Sequence, residues 1–165
     1  MMEIKKPKIT LEETKSGNYA KFVVEPLDRG FGITLGNCLR RILLSALPGA
    51  AAVGIKIDGV DHEFSTIKGV KEEVTEIILN IKGLNAKLYC EGPKTVRIEA
   101  DGECEVTAGS IICDSEVEIL DPDMHIATVG EGGRLSMEIT LQKGQGYVPA
   151  ERNKATELEK ATGER

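Results

Sequence analysis

The chain has 165 residues, 41% hydrophobic and 29% charged, which fits one domain or two small ones able to bury a core. Aromatic residues reach only 4% and tryptophan is absent, which argues against a stacking platform for single-stranded nucleic acid. With 27 acidic against 21 basic residues the net charge is −6, which argues against gripping DNA by its phosphates.

The opening "MMEIKKPKITLEETKSGNYA" has no apolar core of signal-peptide length, and no later stretch approaches the ~18 apolar residues of a membrane span. The expectation is a cytoplasmic protein with no membrane partner and reduced thiols. "KITLEE" and "YAKFVVEPL", separated by "TKSGN", read as a β-hairpin turning on the Ser-Gly-Asn cluster. "DRGFG" breaks the strand and leads into a helix over Leu35–Leu47, stopped by Pro48-Gly49. "AAVGIKIDGV" and "DHEFST" predict a strand, a turn at Asp58-Gly59 and a second strand.

"KGVKEEVTEIILNIKGL" predicts a second helix from about Val70 to Ile81, closed by Lys82-Gly83. From there to Gln142, six short runs ("AKLYC", "KTVRIEA", "CEVTA", "VEILDP", "HIATV" and "RLSMEITLQ") recur at the spacing of an antiparallel β-rich unit. The closing "AERNKATELEKATGER" is charged, lacks an apolar stripe and reads as a solvated tail.

Catalytic patterns are weak. Gly30, Gly32 and Gly36 give G-x-G-x-x-x-G, one residue longer than the dinucleotide fingerprint, and no Walker lysine follows. A nucleotide-binding enzyme using the Gly30–Gly36 loop therefore remains only a rival reading, with backbone turning preferred. No serine sits in G-x-S-x-G, and pairs such as Glu72-Glu73 or Asp121 and Asp123 read more simply as solvated charge. Cys38, Cys90, Cys104 and Cys113 form no C-x-x-C pair, so no metal site is expected and the four thiols read as small buried hydrophobes. No cofactor is expected.

The helices are more informative. At 100° per residue, Leu35, Cys38, Leu39, Ile42, Leu43, Ala46 and Leu47 share one stripe, either a core face or half of a helix–helix dimer seam. The other side carries Asn37, Arg40, Arg41 and an odd Leu44, roughly 160° from the stripe's centre. A leucine flanked by arginines has the composition of a protein contact. The second helix repeats the arrangement. Val70, Val74, Ile77, Ile78 and Ile81 form its stripe, while Leu79 lies opposite beside Glu72 and Glu76. Two such helices suit a scaffold with more than one partner.

"EPLDRGFGITLGNCLRRILLSALPGAAAVGIKIDGVDHEFSTIKGVKEEVTEIILNIKGL" closely resembles the N-terminal domain of the bacterial RNA polymerase alpha subunit, and "KGQGYVPAERNK" resembles that family's signature near the end of its inserted subdomain. The resemblance runs from about residue 5 to residue 154. It implies an α+β fold: a dimerisation subdomain, here a hairpin plus a long helix, interrupted by a mainly antiparallel β-rich insert. Residues 1–48 would be the first part of the dimerisation subdomain, 49–147 the insert, and 148–165 a return segment and charged tail.

The resemblance also implies a scaffold subunit without catalytic residues. It would dimerise with a second alpha subunit through the Leu35–Leu47 stripe and serve as the platform for the beta and beta-prime subunits. Arg40, Arg41, Leu44, Glu76, Leu79, Lys82 and Val148 fall on the family's assembly surface. The protein would be nucleoid-associated within the cytoplasm as part of RNA polymerase. After "AERNK" the family continues with another long helix, a linker and a DNA- and activator-binding domain. This chain reads "ATELEKATGER" instead, so it reads as C-terminally truncated, without direct DNA binding. An isolated fragment that has lost assembly is the other rival.

Overall fold

The computed structural model describes residues 6–13 and 19–154, which fall into two compact units, Met1–Ala46 and Leu47–Arg165. In the first unit, β1 (Lys8–Glu13) and β2 (Ala20–Glu25) pair antiparallel, with Ile9 opposite Val24 and Leu11 opposite Phe22. Such β-branched and aromatic cross-strand pairs favour a pleated ribbon. The predicted Ser-Gly-Asn turn lies outside the described residues.

Helix α1 spans Phe31–Ser45, so it begins before the predicted Leu35 and ends before Leu47. Gly30 explains the early start. Its φ of +91° is a left-handed turn that only glycine adopts at little cost, and Phe31 N–H then bonds to Asp28 C=O at 3.1 Å. Gly32 and Gly36 lie inside the helix, so the three glycines form no loop. Ser45 Oγ donates to Arg41 C=O at 2.6 Å in the last turn, and Ala46 N–H closes on Ile42 C=O at 2.8 Å. Leu47 has already left the helix, because Pro48 opens the next strand.

The second unit is built on a five-stranded antiparallel sheet in the order β5-β9-β3-β4-β7. Its strands are β3 (Pro48–Ile57), β4 (Ala86–Leu88), β5 (Lys94–Asp101), β7 (Val117–Ile119) and β9 (Arg134–Gln145). A two-stranded antiparallel ribbon of β6 (Cys104–Thr107) and β8 (His125–Val129) lies beside it. Alternation does what period two requires. Leu135, Met137, Ile139 and Leu141 of β9 and Val96 and Ile98 of β5 are buried, while their neighbours face outward. A bulge interrupts the β3–β9 register between Ala52 and Gly54.

Helix α2 (Val74–Lys82) buries Val74, Ile77 and Ile81 in the same core as Ile98, Ile126 and Ile139. It starts later than the predicted Val70. Val70 is held instead in a β-bridge to Val129, and Lys71 N–H bonds to Thr128 C=O at 3.0 Å. Glu73 becomes the N-cap, closing a capping box with Glu76. At the other end, Asn80 Nδ2 donates to Ile126 C=O at 2.9 Å, which ties the helix to β8.

Two more expectations are corrected. "DHEFST" forms no strand: beyond the bridge from Thr66 to Glu73 it runs through turns, and Phe64 is left 81% exposed. With three charged or ionisable residues in a row at Asp61–Glu63, it has no inward face to pair with. The thiols are also more open than predicted, with Cys38 and Cys113 exposed and Cys90 and Cys104 half-buried.

The turn before α2 is locked by a backbone-on-backbone contact. Gly69, at φ +81°, lies so close to Gly133 that a Cβ on Gly133 would sit 2.3 Å from the Gly69 carbonyl oxygen. G133A should therefore lower stability by about 1–3 kcal/mol, since main chain must move to admit the methyl. G144A, in β9 with nothing within 4 Å of its Cβ position, should stay within about 0.5 kcal/mol. Urea unfolding of the two variants checks the contrast.

Candidate interaction surfaces

In α1 the arrangement is an amphipathic helix without cover: no residue of it is buried. Within the predicted stripe, Leu39 is 48% and Leu43 63% exposed, and Leu35, Cys38, Ile42 and Ala46 are exposed as well. The opposite side presents Arg40, Arg41 and Leu44, the leucine also 63% exposed. Asn37, Cys38, Arg41, Ile42, Ser45 and Ala46 border a shallow hollow of about 480 Å³. The helix thus offers an apolar ridge and, around it, two fixed cations. That chemistry is suited to holding another polypeptide.

The second unit carries the other predicted contacts, and the structure divides them. Leu79 stands on the exposed side of α2, 65% exposed, and borders a cleft of about 660 Å³ with Ile55, Val74, Thr75 and Ile78. Lys56, His62 and Lys154 bring polar groups to the same cleft. Lys82, at the last turn of α2, lies in a different cleft of about 680 Å³ on the far end of the helix. Val148 lines that second cleft too, as does Leu47, which helical periodicity puts on the α1 stripe. Glu76 belongs to neither. Its Oε2 accepts the Glu73 N–H at 3.1 Å, so at least part of its role is to cap α2.

The second cleft owes its shape to a turn at Gly146. β9 ends at Gln145, and Gly146 at φ +69° turns the chain so that Tyr147 and Val148 lie alongside β3. Pro149 then starts a short helical segment over 150–154, with Arg152 N–H on the Pro149 carbonyl at 3.1 Å. The predicted solvated tail is thus helical in its first residues, and the remainder lies outside the described residues. Tyr147, 90% exposed at the rim, and Lys154 were not singled out in the sequence. The break "GQGYVP" was the one local signal that could have flagged the tyrosine.

Of the carboxylate pairs, Glu72-Glu73 is consumed structurally. Glu72 bonds to His125 and Thr128, and Glu73 caps α2. Neither faces a cleft as a free carboxylate pair.

A profile of the family described as RNA polymerase Rpb3/RpoA insert domain matches residues 55–163. The chain is similar to the DNA-directed RNA polymerase subunit alpha of Symbiobacterium thermophilum, 59% identical over 159 residues, covering 96% of this chain and 50% of that one. The subunit of the same name from Carboxydothermus hydrogenoformans is 62% identical over 157 residues, 95% of this chain and 50% of the relative. That from Desulforudis audaxviator is 61% identical over 155 residues, 93% and 49%. The chain spans about half the length of the curated relatives it matches.

Capping and contact can be separated on α2. E76A should cost about 0.5–2 kcal/mol of stability through the lost capping box, whereas L79A, on the wet face, should cost less than about 0.5 kcal/mol. Thermal and urea melts of the pair check this.

Proposed function

This chain belongs to the RNA polymerase Rpb3/RpoA insert-domain family, and from that premise we propose that it serves as a non-catalytic assembly subunit of a bacterial DNA-dependent RNA polymerase. Its task is to hold other subunits in place. The observation that carries the reading is α1, an amphipathic helix whose apolar ridge and arginine flank are both uncovered in the single chain. A ridge of that size exposed to water favours association.

The division of labour follows the two faces. Leu35, Cys38, Leu39, Ile42, Leu43 and Ala46, with Leu47 just beyond the helix, meet a second copy of the chain. Arg40, Arg41 and Leu44 on the other face, with Glu76, Leu79, Lys82 and Val148 in the second unit, meet the beta and beta-prime subunits. Residues 1–48 act as the dimerisation part, 49–147 as the insert and 148–165 as the return segment. The location is the cytoplasm. No helix among the described residues is long and apolar enough to cross a membrane. The separation of Leu79 from Lys82 and Val148 into two clefts supports two contact areas on the second unit rather than one.

Light scattering across a concentration series tests the first face. A discrete dimer that L43D converts to monomer is the expected result; a wild-type monomer, or a dimer indifferent to L43D, overturns the dimer assignment. Co-purification with beta and beta-prime tests the second face. R41A/L44A and, separately, L79D and V148D should each weaken capture by ~30-fold or more, the loss of about 2 kcal/mol per anchor. Capture unchanged in all three variants rejects the contact set.

A further inference from the structure

His125 sits between two carboxylates, one on each ring nitrogen. Nε2 lies 3.0 Å from Glu72 Oε1, on the segment that leads into α2, and Nδ1 lies 3.1 Å from Glu105 Oε1, on β6. Glu72 is otherwise occupied as an acceptor. Its Oε1 also takes the Thr128 hydroxyl at 2.9 Å and its Oε2 the Thr128 N–H at 2.6 Å. A carboxylate only accepts, and a neutral imidazole carries a single N–H. Both bonds from His125 therefore exist together only in the imidazolium.

We infer that His125 is a proton-dependent pin, which in its charged form fastens the run-in to α2 onto the β6–β8 ribbon and on losing its proton releases one of the two carboxylates. The inference rests on the geometry of the second unit alone and stands or falls independently of the subunit role proposed above.

The charged surroundings are simple. β8 has no ionisable residue besides His125, and β6 has none with a carboxylate besides Glu105. The run-in to α2 offers Lys71, Glu72 and Glu73. Lys71 engages β8 through its main-chain N–H to Thr128 C=O, and Glu73 is occupied as the N-cap. Hydrogen bonding to Glu72, then to Glu105, outweighs the partial burial that opposes it and raises the imidazole above its ordinary value. For Glu72 burial pushes upward, but the bonds from Thr128 and His125 prevail and hold it below the usual carboxylate range.

The signs give a window. A raised histidine contributes fully below its unfolded value of about 6.5 and loses that contribution as pH rises through the folded value. A depressed Glu72 contributes above its unfolded value of about 4.3 and loses it as pH falls. The pin is strongest between the two, in mildly acidic solution. Above it Glu72 either loses its bond to His125 or keeps one without charge assistance, so the Thr128 amide it anchors and the first turn of α2 loosen.

NMR titration of the whole chain tests this, with H62Q included to assign the two histidines. The His125 midpoint should lie above that of the urea-unfolded chain, and fall in E72Q more than in E105Q, because Glu105 is the more exposed of the two carboxylates. Hydrogen exchange at Thr128, corrected for the intrinsic pH effect, should quicken several-fold across that midpoint in the wild type and show no such step in H125Q. A midpoint equal to the unfolded value, or one unmoved by E72Q, overturns the pin. So does a Thr128 amide indifferent to the titration. The wild-type measurements decide the matter even if a variant fails to fold.

Discussion

β9 is hydrogen-bonded along both edges at once, to β3 on one side and β5 on the other, and the second unit takes its form from that requirement. A strand so placed has no freedom of register. A slip by one residue would carry Leu135, Met137, Ile139 and Leu141 to the wet face and lose about 1.5–3 kcal/mol per buried side chain in transfer alone. With β9 fixed, the apolar layer it presents must be covered. Helix α2 and β8 supply the cover, through Ile77, Ile81 and Ile126. The clefts follow as margins of the packing, one along the wet side of α2 and one where the chain emerges from β9.

The first unit lives under a different constraint. A two-stranded ribbon and one amphipathic helix cannot enclose a core of their own, and Ile9, Phe22, Ile33 and Leu43 are each more than 60% exposed. The sequence nevertheless puts strong helix formers and a clean apolar stripe there. Local propensity and tertiary burial thus disagree in the lone chain, and under the proposed function a second polypeptide would supply the missing surface. The contrast between a second unit with a closed core and a first unit without one is what the proposed subunit role accounts for.

Much of this was legible in the residues. The period-two runs gave five of the insert's strands and the core of β9, because the apolar positions there face a single buried layer. The stripe of α2 was equally clear. What escaped was whatever depended on partners distant in the chain. α2 starts late because Val70 is claimed by Val129, and "DHEFST" finds a single isolated bridge, Thr66 to Glu73, rather than a strand partner. Glu72 and His125 meet across 53 residues with no local pattern to announce it. The resemblance puts Glu76 on the assembly surface, while its position at N3 of α2 makes it a cap as well. Splitting Leu79 from Lys82 required knowing where the chain goes after Gly146.

The bulge in β3 carries one more consequence. Ala50 and Ala52 lean on the core from even positions, whereas Ile55 and Ile57 do so from odd ones, and the register skips at Val53 between them. The extra residue is a change of phase. It lets one strand obey two alternations in succession, each matched to the same odd-numbered side of β9, with Ala52 opposite Leu141 and Ile55 opposite Ile139. Strict alternation along "AAAVGIKI" would send either the alanines or the isoleucines outward. Val53 therefore acts as punctuation: the length of this segment, counted to the single residue, is as much a part of the core as the side chains that fill it.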